Sequence, residues 1–161
     1  MDDTRWLDES ELRAWRGFLT MQGQLTARLS RQLLADSDLS LPDFEVLVQL
    51  TDSPENRVRA FELARALQWE KSRLSHHLAR MQRRGLVGRE GCPNDARGAF
   101  IVITPAGRKA IEEAAPHHVA TVRRLFFDGL TPEQVQTLEK ISDQVLARLA
   151  AEAGEVSTRT N

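Results

Sequence analysis

No part of this chain constrains its fold more than the stretch from Glu70 to Gly85. Its large apolar residues are Leu74, Leu78 and Met81. On an α-helix turning about 100° per residue, Leu78 falls about 40° and Met81 about −20° from Leu74. The three therefore make one narrow stripe for burial. The opposite side gathers Ser72, Arg73, His76, Ala79, Arg80 and Arg83, which is arginine, hydroxyl and imidazole with no acid. Gly85 is where such a helix would end in a left-handed residue.

The charge of this helix belongs to a wider pattern. Residues 57–109 hold twelve Lys and Arg against four acids, a balance of +8, while the rest of the chain holds ten against nineteen, or −9. The whole-chain charge of −1 and pI of about 6.4 conceal that division. A basic middle between acidic flanks is the footprint of a polyanion-binding module on a scaffold. At 161 residues and 41% hydrophobic, the chain is long and apolar enough for one domain with a core, or one domain and an extension. No run of apolar residues is long enough for a membrane span. The acidic, interrupted first twenty residues read as no secretory leader. Cys92 stands alone, which excludes an internal disulfide framework and a multi-cysteine zinc site. A cytoplasmic protein is expected.

The remaining elements follow from caps and periodicity. Asp8 and Glu11 have capping-box spacing and open a long helix with the stripe Leu12, Trp15, Phe18, Leu19, Leu25, Leu29 and Leu33, closing near Asp36. Its length suggests packing against a partner chain. Ser40 caps a second helix, with Pro42 in its first turn and Phe44, Leu47, Val48 and Leu50 facing inward. Val58 reads equally as a lone strand or a helix lead-in. A short helix carries Phe61, Leu63, Ala64 and Leu67. After Gly85, residues 86–90 and 99–103 read as strands joined by a turn-rich, basic loop from Gly91 to Gly98. Thr104 caps the next helix, with Pro105 first, the stripe Ile111, Ala115, His118, Val122 and Leu125, a kink at Pro116 and a stop at Gly129. Thr131-Pro132-Glu133-Gln134 is a capping box for the last helix, striped by Val135, Leu138, Ile141, Val145 and Leu149.

Helix, helix, basic helix and basic-tipped hairpin is the order of a winged helix-turn-helix. The fold class expected is mainly α with a small β wing (α+β). The basic helix suits the major groove of duplex DNA, with Lys71, Ser72, Arg73, Ser75, His76, Arg80 and Arg83 as its candidate contacts. Arg97, at the hairpin tip, suits the minor groove. Asp95, too acidic to face phosphate, would hold the Arg97 guanidinium through a charge-assisted hydrogen bond.

These residues resemble the MarR family of bacterial transcription regulators over roughly residues 8–150. The resemblance lies in Lys71-Ser72, in the run from Leu78 to Val87, in Asp95-Ala96-Arg97-Gly98 and in the run from Ile103 to Arg108. Cys92 and Pro93 at the wing base depart from the family pattern. The resemblance implies an obligate homodimer joined through its N- and C-terminal helices and bound to a palindromic operator. It often implies release of DNA when a small phenolic or other amphipathic ligand binds. The expected division is a helical dimerisation region at 8–35 and 105–152, a winged helix-turn-helix at 40–104 and a frayed tail at 153–161. Half-sites should lie about one turn apart, roughly 10–10.5 bp.

Trp15, Phe18, Phe44, Leu47 and His118 are the candidate lining of a cleft for a small aromatic or amphipathic effector. Adjacent histidines diverge by about 100° on a helix, so neither His76-His77 nor His117-His118 chelates a metal by itself, and no metal is expected. No phosphate loop or nucleophile motif suggests an enzyme or a cofactor. The alternatives to a ligand-responsive repressor are a redox-responsive repressor acting through Cys92, whose loop is electropositive, and a ligand-independent DNA-binding protein.

Overall fold

Among the described residues, four helices begin where a side chain satisfies a free amide of the first turn, with Asp8, Ser40, Thr104 and Thr131 as the caps. Asp8 accepts from the amides of Ser10 and Glu11, both at 2.8 Å, and Glu11 returns a bond to the Asp8 amide at 2.9 Å. This box opens α1 (Glu9–Ser37), which ends at Asp38 in left-handed conformation, φ 56°. Ser40 and Asp43 make the same exchange, 3.1 and 3.0 Å, at the start of α2 (Leu41–Asp52). The structure, a computed structural model, describes residues 4–91 and 98–158.

Next come β1 (Arg57–Arg59), α3 (Ala60–Leu67), α4 (Lys71–Arg83), β2 (Val87–Glu90), β3 (Phe100–Ile103), α5 (Pro105–Leu125) and, after a 3-10 turn at Phe127–Gly129, α6 (Pro132–Thr158). The strands form an antiparallel sheet ordered β1-β3-β2, with Val58 opposite Ile101 and Arg89 opposite the same residue on the other edge. Val58 is thus a strand residue. The fold class is the one expected, mainly helical with a small β wing.

Two glycines set the path between α4 and α5. Gly85 has φ +74°, which lets the chain reverse out of α4 into β2. Gly107 lies against the backbone of Leu86, so that a Cβ there would collide with the Leu86 carbonyl. Thr104 completes the joint: its hydroxyl is shared between the carbonyls of Gly85 (2.6 Å) and Leu86 (3.0 Å) and accepts from the Gly107 amide (3.0 Å). The Thr-Pro-Ala-Gly run after the wing is therefore a seam fastening α5 to the end of the basic helix.

By its contacts the chain divides into two units, Met1–Thr121 and Val122–Asn161. In the first, Leu47, Leu50, Leu63, Leu78, Met81 and Ile101 are buried together with Leu33 of α1 and with Ile111 and Ala114 of α5. Most of this core comes from residues 40–104, and Leu33, Leu39, Ile111 and Ala114 from the flanking segments join it. The buried side of α5 is Gly107, Ile111, Ala114 and Thr121, rotated from the expected Ala115, His118, Val122 and Leu125 because the Gly107 contact sets the helix's angle. Pro116 lies inside α5 without ending it, and the helix stops at Leu125, short of Gly129.

In the second unit, the rings of Phe126 and Phe127 meet edge to face at 5.1 Å. Thr131 and Gln134 form the expected box, 2.8 and 3.2 Å, ahead of α6. α6 continues to Thr158, so residues 153–158 are helical where a frayed tail is expected; Ala150, Ala151 and Ala153 favour continuation. Ile141, Val145, Leu146 and Leu149 lie exposed along α6. No helix among the described residues is long and apolar enough to cross a membrane.

Candidate nucleic-acid interface

α4 is anchored through Leu74, Leu78 and Met81, all buried, as its stripe requires. Lys71, Ser72, Arg73, Ser75, His76, Arg80 and Arg83 are all exposed. They do not share one surface. Lys71 and Ser75 turn toward the sheet, where they border a cavity of about 560 Å³ with Phe61, Arg89 and Gly98. Arg73 lies over the ring of Trp69, its guanidinium carbon 4.3 Å from the centroid. That stacking holds a long, rotamer-rich side chain in place before any partner arrives.

Arg80 is held differently. Its Nη2 lies 2.9 Å from Nδ1 of His77. His77 is buried, and its other nitrogen, Nε2, is 3.0 Å from Asp43 Oδ1, within hydrogen-bonding distance although the N–H is not aimed at the oxygen. Arg84 reaches the second oxygen of Asp43 at 2.6 Å and the carbonyl of Asp38 at 2.9 Å. Burial alone would raise the Asp43 carboxyl. The close approach of the His77 ring, together with the bonds from Arg84 and the Ser40 amide, outweighs it and holds that carboxyl well below the usual carboxylate range. A buried acid on α2 thus meets α4 at His77 and again, about two turns later, at Arg84 just past the helix's end.

The sequence reading missed Asp43, His77 and Arg84. Asp43 was legible as a capping residue alone, and its contact with Arg84 spans 41 positions. His77 did carry a signal: it falls about 60° from Leu74, at the edge of the buried stripe. A further missed group stands at the wing's base, where Arg57 and Arg59 pack over Phe100 at 4.5 and 4.0 Å. Arg59 also donates to the Gly98 carbonyl at 3.0 Å. Asp95, Arg97 and Cys92 lie outside the described residues.

The expected effector cleft is assembled only in part. The rings of Phe44 and His118 meet at 4.5 Å and border a groove of about 550 Å³ with Glu45, Val48, Trp69 and Arg73. Leu47 does not line it, being wholly buried in the core. Trp15 and Phe18 do not either; they stack on each other at 5.9 Å, about half exposed on α1. Aromatic residues at helical spacing suggested a common interior, but α1 buries only Leu33. Burial raises the Glu45 carboxyl, against the opposing charge of Arg73, and lowers His118. No cluster of metal-ligating side chains occurs among the described residues.

The profile described as MarR family matches residues 37–98. The structure of AbsC, a MarR family transcriptional regulator from Streptomyces coelicolor, is 42% identical with a TM-score of 0.86, covering 92% of this chain and 99% of that one. Sco3205, a MarR family transcriptional regulator of the same organism solved in complex with DNA, is 40% identical with a TM-score of 0.85 and covers 91% of each chain. The transcriptional regulator HosA of Escherichia coli O111:H- is 37% identical over 93 residues, 58% of this chain; the match spans 65% of HosA's length.

Proposed function

The chain belongs to the MarR family of transcriptional regulators, and from that premise we propose that it binds a palindromic DNA operator as a homodimer and represses transcription. What carries the reading is the exposed side of α4. Ser72, His76, Arg80 and Arg83 lie there with no acid among them, on a helix whose other side is fixed in the core. Arginine forks suit guanine edges, and hydroxyl and imidazole suit other edges or phosphates. Arg97 would enter the adjacent minor groove with Asp95 holding it, and the bond from Arg59 to Gly98 supports a fixed stem for that tip. Such a protein works where the chromosome is, which agrees with the cytoplasmic location expected from the sequence.

Exposed apolar residues support the dimer. Trp15, Phe18 and Leu19 lie open on α1, as do Ile141, Val145 and Leu149 on α6. Apolar surface of this kind is commonly covered by a second chain. The groove beside Phe44 and His118 is the proposed place for a small aromatic or amphipathic effector.

The test is selection of duplexes from a randomised library by the full chain, followed by titration. A palindromic sequence with half-sites about 10–10.5 bp apart is expected, with affinity falling steeply as salt rises. Light scattering should give the mass of two chains. A monomer, or no preference for any duplex at modest ionic strength, would overturn the proposal.

A further inference from the structure

The contact between His77 and Arg80 assigns a tautomer. A guanidinium can only donate, so at 2.9 Å the Nδ1 of His77 must present a lone pair. The ring proton then sits on Nε2, the nitrogen 3.0 Å from the Asp43 carboxylate, where a lone pair would be repelled. The edge of the Trp69 system packs against the ring at 5.3 Å and limits its rotation. Asp43 is itself fixed by Arg84 and by the Ser40 amide.

We infer that His77 is a positioning residue for DNA recognition: Asp43 sets its tautomer and orientation, and its Nδ1 aims the Arg80 guanidinium on the exposed side of α4. This rests on the reading of α4 as the helix that enters DNA. Arg80 has five donors and a flexible stem. Fixing one donor on a buried acceptor leaves the rest of the fork pointing outward in a restricted set of directions. His77 then shapes which bases are preferred without touching DNA. Burial and an acid partner alone would suggest a purely structural histidine; the bond to an exposed arginine does not fit that role.

Two near-isosteric variants separate the roles. In His77→Asn the side-chain oxygen lies near the place of Nδ1, whereas in His77→Gln the amide reaches the place of Nε2 beside Asp43. Full-chain proteins are titrated against the duplex selected by the wild type and against a random-sequence duplex. His77→Gln is expected to lose about 5–10-fold in preference for the selected duplex, and His77→Asn no more than about twofold. Arg80→Ala should lose preference to the same degree as His77→Gln, and the double variant no more than either. Rescue by Gln but not by Asn, or additive losses, would overturn the inference while leaving DNA recognition intact. If the wild type selects no sequence, the premise and the inference fall together. Should both variants unfold, imidazole ¹⁵N NMR of the wild type decides, since a proton found on Nδ1 of His77 overturns the assignment.

Discussion

The guanidinium of Arg84, just past the end of α4, reaches the buried carboxylate of Asp43 on α2 at 2.6 Å across 41 positions of chain. This bond joins the two elements whose relative angle decides how far α4 stands out from the core. Asp43 does more than cap its own helix, for its remaining bonding capacity goes to α4.

Removing that charge should therefore be costly. Asp43→Asn leaves His77 and Arg84 without their anion. The expected loss is about 2–3 kcal/mol, below the range for a fully buried pair because Arg84 stays partly solvated. Chemical denaturation checks it. A change under about 0.5 kcal/mol, the level of an ordinary surface substitution, would mean the bond is not formed in solution.

The same group sets an acid limit. The Asp43 carboxyl is held below its ordinary value in the folded chain, so the unfolded chain takes up the proton more readily. Its contribution to stability is complete above the unfolded value, about pH 4, and is lost as pH falls below it toward the folded value. Stability measured from pH 6 down to pH 2 should fall more steeply for the wild type than for Asp43→Asn. Parallel curves would show that other carboxylates carry the acid transition.

Much of the fold was legible because helix starts are local events. Asp8, Ser40 and Thr131 each announce a helix within four residues, and the three-residue stripe of α4 was read correctly from angles alone. What was illegible lay between elements. Periodicity describes one helix at a time, so it did not pair Asp43 with His77 and Arg84. It also did not show that Gly107 fixes the rotation of α5. The effector cleft was legible only in part, through Phe44 and His118, for a related reason: aromatic spacing shows that a face exists, not what covers it. Trp15 and Phe18 are on such a face, while Leu47 is too deep to line any groove.

Gly107 offers the sharpest test of the seam between wing and α5. A methyl group there meets the Leu86 carbonyl, a backbone atom that cannot rotate away. Gly107→Ala should cost about 3 kcal/mol or more, at or beyond the upper end for overpacking. By comparison Gly17, with open space around its would-be Cβ, should tolerate alanine or gain slightly from it. Thermal unfolding of the two variants side by side compares them. Equal melting temperatures would show that the Thr104–Gly107 joint is looser than the structure has it.

The DNA-facing arginines should differ from one another. Arg73 is stacked on Trp69 and so is presented in one orientation, whereas Arg83 makes no side-chain hydrogen bond or ion pair among the described residues. Arg73→Ala is expected to weaken binding to the selected duplex by about 1–3 kcal/mol, and binding to random sequence by less. Arg83→Ala should weaken both alike and lower the salt slope by about one, as a phosphate contact does. Titrations at several salt concentrations separate the two patterns; equal losses on both duplexes for Arg73 would reduce it to a phosphate contact.

The groove beside His118 makes its own prediction through Trp69, which lines it, and Trp15, which does not. Burial raises the Glu45 carboxyl and lowers His118, and with the rings of Phe44 and Trp69 on its walls the groove suits an aromatic body. Arg73 at its rim supplies the one fixed positive group among the lining residues, suited to a carboxylate at one end of that body. An aromatic acid such as benzoate or a hydroxybenzoate should therefore quench tryptophan emission in the wild type and in Trp15→Phe. The quench should vanish in Trp69→Phe, and Arg73→Ala should weaken it about tenfold, as expected for one charge-assisted contact. An unchanged quench in Trp69→Phe would place the ligand elsewhere on the chain, and release of the selected duplex by the same acid would tie the groove to DNA binding.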